Sequence, residues 1–373
     1  MPERNSINKM VDDLVRLPLD PIRRISPSRF WDFQLCSLKE IWLSNHQPPL
    51  LPSHPSARLG TISHSVLEAA AKGIVTDKVT FDAQWDDMLG KTHEEMLQLS
   101  IEKHLVPLEF SAQNYEVKMI LSFKLAEKIF GFAGEGTPKG HCAEHWFESA
   151  DGKIGGKVDL VLNHQDGVEI VDYKTGSVLN AQSGGEVKDE YKVQMKLYAG
   201  LYHEVKGCWP VKLSLIGIDG QKYYISFRRE ECAELLDKAK NIVDETNELI
   251  LAGLKPDDFA NPSPGACKYC SYRPACKKYW KAQDFSDKWP FDVIGEVKEK
   301  KVLGNGFCRV SISNNGREFI IRGLSIERHK FLNNDINDIL FCDLGQDTLD
   351  GHYTEQLLTT GYLVNNEKKQ DKD

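Results

Sequence analysis

Apolar and polar positions alternate in two different rhythms along this chain. Between residues 60 and 131 the apolar positions recur at helical spacing, and the stretch reads as mostly helical. The rhythm then shortens to strand-like segments at about 141–148, 153–163 and 167–174. A helix is predicted from about Glu186 to His203, strands near 211–217 and 221–227, and a charged helix over roughly Arg228–Leu251. Upstream, Ser26 as N-cap and Pro27 in the first turn start a helix that runs to about Ser44 and carries Cys36. Pro48, Pro49, Pro52 and Pro55 then read as an extended loop. After about Trp289 the texture turns to short β pieces: Val293–Val297, Gly306–Ile312, Glu318–Gly323 and Ile339–Cys342. The pattern predicts a loosely attached leader (1–25), an α/β domain (26–288), a β-rich module (289–364) and a polar, disordered tail (365–373).

The segment Val168 to Val171 is apolar enough for a buried strand, yet it delivers Asp172-Tyr173-Lys174 and stops at Thr175-Gly176. Burying a carboxylate and an ammonium there costs several kcal/mol, on the order given for unpaired buried ions, unless something compensates. Asp159 lies thirteen residues earlier, in the strand-like run Gly155–Val161. A short turn near His164 to Gly167 makes the two strands a hairpin, so the two acids can meet at one end of a sheet. A divalent cation between Asp159 and Asp172 would compensate, and hard carboxylate oxygens suit Mg²⁺ or Mn²⁺. Such a cation lowers the pKa of bound water and offsets charge growing on a phosphate, the requirement of phosphodiester cleavage. Lys174 is placed to position the water or neutralise that charge. Asp-x-Lys by itself is also a common strand-end ion pair. His64 and Glu68 are four residues apart, on one helical face, and His64 can add an imidazole ligand. Gln194 and Tyr198 share the same spacing on the helix after the Asp-x-Lys strand.

Composition is that of an ordinary globular protein, 41% hydrophobic and 27% charged. The net charge of −8 argues against a protein that coats DNA non-specifically, although a local basic groove is compatible with it. No apolar run approaches the ~20 residues of a membrane span, and Met1 to Lys9 lacks the apolar core of a signal peptide, so a cytoplasmic location is expected. Nine cysteines in such a chain read as free thiols or metal ligands. Cys267, Cys270 and Cys276 lie close together, with Cys36 far upstream as a fourth thiolate. With no histidine in the local spacing an iron–sulfur cluster is favoured, with zinc as the alternative.

In this order the motifs resemble the RecB-like branch of the PD-(D/E)XK nucleases, specifically its iron–sulfur subset. That subset includes CRISPR-associated adaptation nucleases and the nuclease domain of the AddB-type helicase–nuclease subunit. The resemblance spans about residues 26 to 285. It rests on Ser26-Pro27-Ser28-Arg29-Phe30 leading to Cys36, Gly60-x3-His64-x3-Glu68, Gly156-Lys157-Val158-Asp159, Asp172-Tyr173-Lys174 and Gln194-x3-Tyr198. Val158 stands where the family name has proline. The resemblance implies a restriction-endonuclease-like mixed sheet flanked by helices and stapled by a [4Fe-4S] cluster on Cys36, Cys267, Cys270 and Cys276. It also implies Mg²⁺ or Mn²⁺ held by His64, Asp159 and Asp172 with the Tyr173 carbonyl. Lys174 would be the catalytic lysine, Gln194 and Tyr198 would orient the substrate strand, and Glu68 and Glu144 would support the site.

The remaining β-rich module resembles a small β-barrel of the OB type. Its residues 298–330 hold eight Lys/Arg against three Glu. OB-like barrels often bind single strands through basic grooves and stacking aromatics, for which Phe307, Phe319 and Phe331 are candidates, although each fits a core position equally well and docking of a protein partner is the alternative. The chain has no Walker-type phosphate loop and so no evident motor of its own, and the family resemblance implies a helicase or other complex subunit as a partner. The leading expectation is a metal-dependent DNase acting on single strands or DNA ends, in repair or in antiphage or CRISPR-type defence. A catalytically silent iron–sulfur DNA-binding subunit of a helicase–nuclease complex is the alternative.

Overall fold

Two β-sheets organise the chain, each inside its own compact unit. A computed structural model describes residues 18–131, 141–180 and 185–364. One unit comprises residues 21–34 and 54–254, the other residues 1–20, 35–53 and 255–373. The expected tail 365–373 and most of the expected leader lie outside the described residues. No helix among the described residues is long and apolar enough to cross a membrane.

The first unit is built on a five-stranded sheet in the order β1-β2-β3-β4-β5. Its strands are β1 (His141–Glu148), β2 (Gly155–His164), β3 (Gly167–Lys174), β4 (Lys212–Gly217) and β5 (Lys222–Tyr224). Every pairing is antiparallel except β3 with β4, which is parallel. A parallel step needs a crossover, and helix Asp189–Lys206 supplies it, packing on the sheet where its Tyr202 ring meets Phe147 of β1. Covered on both faces, β3 has buried residues at every position from Glu169 to Tyr173. The expectation of an α/β mixed sheet flanked by helices therefore holds.

The described end of the expected leader is packed into the fold. Ile22 and Ile25 are buried, Ile25 forms a parallel bridge with Ile154, and Asn247 holds the Ile22 backbone at 2.7 and 2.9 Å. The single helix expected from Ser28 to Ser44 is two helices, Pro27–Leu35 and Ser37–Ser44, broken at an extended Cys36 (φ −156°, ψ 102°). The break has a packing cause. Phe30 and Phe33 are buried on the first helix, Leu38, Ile41 and Trp42 on the second, and the two groups belong to different units. One straight helix cannot direct two apolar stripes independently.

The second unit carries a seven-stranded sheet in the order β10-β11-β8-β7-β6-β9-β12. Its strands are β6 (Val293–Val302), β7 (Phe307–Asn314), β8 (Arg317–Ser325), β9 (Asp338–Cys342), β10 (Gly345–Gln346), β11 (His352–Thr354) and β12 (Thr360–Val364). Only the pairing of β11 with β8 is parallel. The OB pattern has five strands; β10 and β11, at two and three residues, are too short to announce themselves by periodicity. Val310, Ile312, Phe319, Ile321, Ile339 and Phe341 form the centre of its core.

The cysteine-bearing segment joins this sheet through a buried charge network. Arg273, in the short turn Arg273–Ala275, lies almost fully buried and donates from Nε to Asp292 Oδ2 at 2.6 Å. It also pairs with Asp343, while Tyr279 donates its hydroxyl to Asp292 Oδ2 at 2.8 Å. Burial alone would lower the Arg273 pKa; the Asp292 and Asp343 charges more than reverse this. Removing Asp292 leaves the buried Arg273 with the partly exposed Asp343 as its remaining carboxylate and orphans the Tyr279 hydroxyl, and breaking a buried pair costs about 3–5 kcal/mol. Asp292→Ala is therefore expected to lose about that much unfolding free energy, read as a lower denaturant midpoint. An unchanged midpoint would contradict this role for the network.

Candidate active site

Helix Pro55–Ala71 buries Leu59, Ile62, Val66 and Leu67 and leaves His64 half-buried at the edge of that stripe. Gly60 lets this helix approach the end of β3: a Cβ there would lie 2.8 Å from Thr175 Oγ1. One residue beyond the Leu160–Val171 ladder pair, β2 and β3 reach Asp159 and Asp172. The Tyr173 peptide N–H donates to Asp159 Oδ2 at 2.7 Å, and His64 Nδ1 lies 3.6 Å from the same oxygen.

Beyond the two acids, three side chains close a ring. Gln194 Nε2 donates to Asp172 Oδ1 at 2.8 Å, and Lys174 Nζ donates to Gln194 Oε1 at 2.8 Å. Lys174 Nζ returns to Asp172 Oδ2 at 2.7 Å as an ion pair. Asp172 and Gln194 are buried, so the ring is sheltered from water. Beneath it, the Tyr191 ring lies 4.4 Å from Lys174 Nζ, a cation–π contact that sequence reading missed. The signal was available: Tyr191, Gln194 and Tyr198 follow the three- and four-residue spacing of one helix face.

Burial and charge act against each other here. Burial raises the Asp172 pKa and the Asp159 charge adds to that, while Lys174 and His64 oppose it; the net direction is upward. For Lys174, burial lowers the pKa but Asp172 outweighs it, keeping the ammonium charged. For His64, burial likewise lowers the pKa, and the hydrogen bond and charge of Asp159, with the Asp172 charge, leave it raised.

The other expected site residues occupy supporting positions. Tyr198 is buried and donates its hydroxyl to the Lys157 carbonyl at 2.8 Å, bracing β2 two residues before Asp159. Glu68 pairs with Lys157 at 3.1 Å and with Lys72. Glu144 lies on β1, but its side chain lies outside the described residues.

The four expected cysteines fall in the second unit. Cys36 caps helix Ser37–Ser44, Cys267 lies in helix Pro264–Lys268, and Cys276 caps helix Lys277–Ala282, accepting from the Tyr279 N–H. Burial is the main reason the Cys276 thiol is pushed up, with a smaller upward contribution from Cys36, Cys270 and Cys267. Burial pushes Cys267 up to about 12 and Cys270 to about 11, so without a cation they stay protonated. None is in a disulfide.

Among the described residues no group of three or more His, Cys, Asp or Glu side chains is already arranged to hold a metal ion. The donor chemistry nevertheless fits a hard cation beside Asp159 and Asp172. Asp172 Oδ2 is cut off from water with the Lys174 ammonium at 2.7 Å as its counter-charge, and the neighbouring potential metal ligands are a carboxylate and an imidazole. Paired acids, lysine and imidazole at the end of a mixed sheet define a site suited to metal-assisted hydrolysis.

The profile of the PD-(D/E)XK nuclease superfamily matches residues 24–277, and the chain belongs to that superfamily. Its members are metal-dependent nucleases, phosphodiester hydrolases that typically use Mg²⁺ or Mn²⁺. No curated protein sequence matches. Among solved structures, the chain is similar to a crystal structure of SSO0001, with 12% identity over 74% of this chain and 96% of that one. The TM-score of 0.29 carries no argument about the site.

The Tyr198 hydroxyl gives a direct test of the bracing contact. Tyr198→Phe removes the buried hydrogen bond to the Lys157 carbonyl and is expected to cost about 0.5–1.5 kcal/mol of stability, measured by chemical denaturation. A variant as stable as wild type would show that β2 does not depend on this bond.

Proposed function

We propose that this protein is a deoxyribonuclease that hydrolyses phosphodiester bonds of single-stranded DNA or DNA ends with Mg²⁺ or Mn²⁺. The observation that carries this reading is the closed Asp172–Gln194–Lys174 ring beside Asp159 and His64. Asp159, Asp172 and His64, with the Tyr173 carbonyl, would hold the cation, which when bound activates water and offsets phosphate charge. Lys174, kept charged by Asp172, is the group that neutralises developing charge on the phosphate. Gln194 fixes the Lys174 ammonium and an Asp172 oxygen at once, so the acid and the lysine cannot rotate apart. Tyr198 acts through β2, and Glu68 through Lys157.

The four cysteines are read as the ligands of a [4Fe-4S] cluster, with zinc as the rival. What supports this is that all four cysteines belong to one compact unit, three of them buried and held protonated unless a cation displaces the proton. The cluster would staple the Cys36 segment to residues 267–276. Strand supply by a helicase or another complex subunit, in repair or antiphage defence, completes the reading.

Cleavage of end-labelled linear and closed circular single-stranded DNA with Mn²⁺ is the test, with Lys174→Ala beside wild type, both purified without oxygen. Cleavage is expected for wild type and a loss of roughly a hundredfold or more for the variant, measured under conditions where circular dichroism shows the variant, destabilised by the loss of its buried ion pair, to be still folded. Equal cleavage by the two proteins would sink the assignment.

A second prediction concerns the thiols. Cys276→Ala is expected to lower both the melting temperature and the iron content, because the ligand set ties distant segments. A variant with normal melting and normal metal content would contradict the staple.

A further inference from the structure

We propose that an open groove beside Phe307 on the C-terminal sheet is a second DNA contact, taking one unpaired base and its flanking phosphates. The proposal rests on the nuclease reading for its choice of DNA. The groove, of about 480 Å³, is lined by Phe307, Asn305, Ser325, Glu327, Lys330 and Asn333 among others. It lies where the β6–β7 hairpin meets the end of β8: Phe307 pairs with Ser325, and the Ile326 N–H donates to the Gly306 carbonyl at 3.2 Å.

Three observations select the occupant. The first is the aromatic. Of the three phenylalanines considered for stacking, Phe319 is fully buried and Phe331 packs against the core, whereas Phe307 is 41% exposed. A large ring left partly in water beside a groove offers a π-face to a base. The second is charge. Lys301 stands directly opposite Arg309 in the β6–β7 ladder, and two like charges so placed destabilise a sheet. No carboxylate among the described residues pairs with Lys301, Arg309 or Lys330, and Arg309 Nε is buried without an acceptor. An anion over this hairpin would relieve the repulsion. The third is alternation. Cys308 and Val310 are fully buried, so Phe307 and Arg309 project to the other side of β7. Base platform and phosphate partner therefore share a face. Asn305, Asn333 and Glu327 supply the polar edge at which a base can hydrogen-bond.

Binding of fluorescein-labelled oligodeoxythymidine by anisotropy, in EDTA and across a salt series, tests this in the full chain. Phe307→Ala is expected to weaken binding roughly tenfold, Phe307→Trp to keep it, and Lys301→Ala with Arg309→Ala to reduce the salt slope by about 1.4. The Phe307 variants should melt close to wild type and the Lys301→Ala, Arg309→Ala double variant no lower than wild type, since it removes the like-charge pair. Wild-type affinity and slope in the alanine variants would overturn the groove; wild-type cleavage alongside that result leaves the nuclease reading intact. Loss of binding in the variants, with a wild type that binds but never cuts, keeps the groove and overturns the nuclease. A wild type that neither binds nor cuts overturns both.

Discussion

Asp172 is a carboxylate held almost out of water at the end of a strand buried on both faces. Left alone it would take up a proton or destabilise the sheet by several kcal/mol. Everything nearby answers that cost. Lys174 supplies the opposite charge, Gln194 a hydrogen bond to each of the two, and Tyr191 a π-face under the ammonium. Yet Asp159 adds a second negative charge that one lysine does not balance, with the His64 imidazole 3.6 Å away. The residual demand for positive charge is what a divalent cation meets, and it is the physical content of membership in a metal-dependent nuclease superfamily.

The second unit solves a related problem with a different balance. Arg273 sits between Cys270 and Cys276 in sequence, and its guanidinium is buried against Asp292 and Asp343 at the base of the seven-stranded sheet. The loop carrying three thiols therefore cannot relax without exposing or orphaning a charge. Burial meanwhile keeps the Cys267 and Cys270 thiols protonated. Cys36 reaches the same unit only because the chain breaks its helix there.

Legibility in the sequence followed the length and regularity of each element. The runs that became β1 to β4 and helix Arg229–Leu251 were predicted within about three residues, because apolar runs and helical periodicity are local signals. Asp159, Asp172 and Lys174 were legible because an acid and a base at the end of an apolar run conflict with burial. Other features lie beyond local pattern. The break at Cys36 depends on which unit each half of the helix packs into. The Arg273–Asp292 pair joins a turn to a strand entrance nineteen residues away, and nothing in either segment announces the other. Phe307, Phe319 and Phe331 look alike in sequence, and only packing separates a core ring from an exposed one.

Topology explains why the Gln-x3-Tyr helix belongs to the site. The step from β3 to β4 is the one parallel pairing of the first sheet, so the chain leaving Lys174 must return to the start of β4 by a crossover. A helix making that return along the sheet passes the strand ends where Asp159 and Asp172 emerge. Its sheet-facing stripe then has two tasks: to satisfy buried polar groups near its start and to fill apolar space further on. Tyr191, Gln194 and Tyr198 serve the first, while Tyr202, packed edge-on against Phe147, serves the second. The spacing that marks the motif is thus the helical repeat read on the face that the parallel connection turns toward the acids.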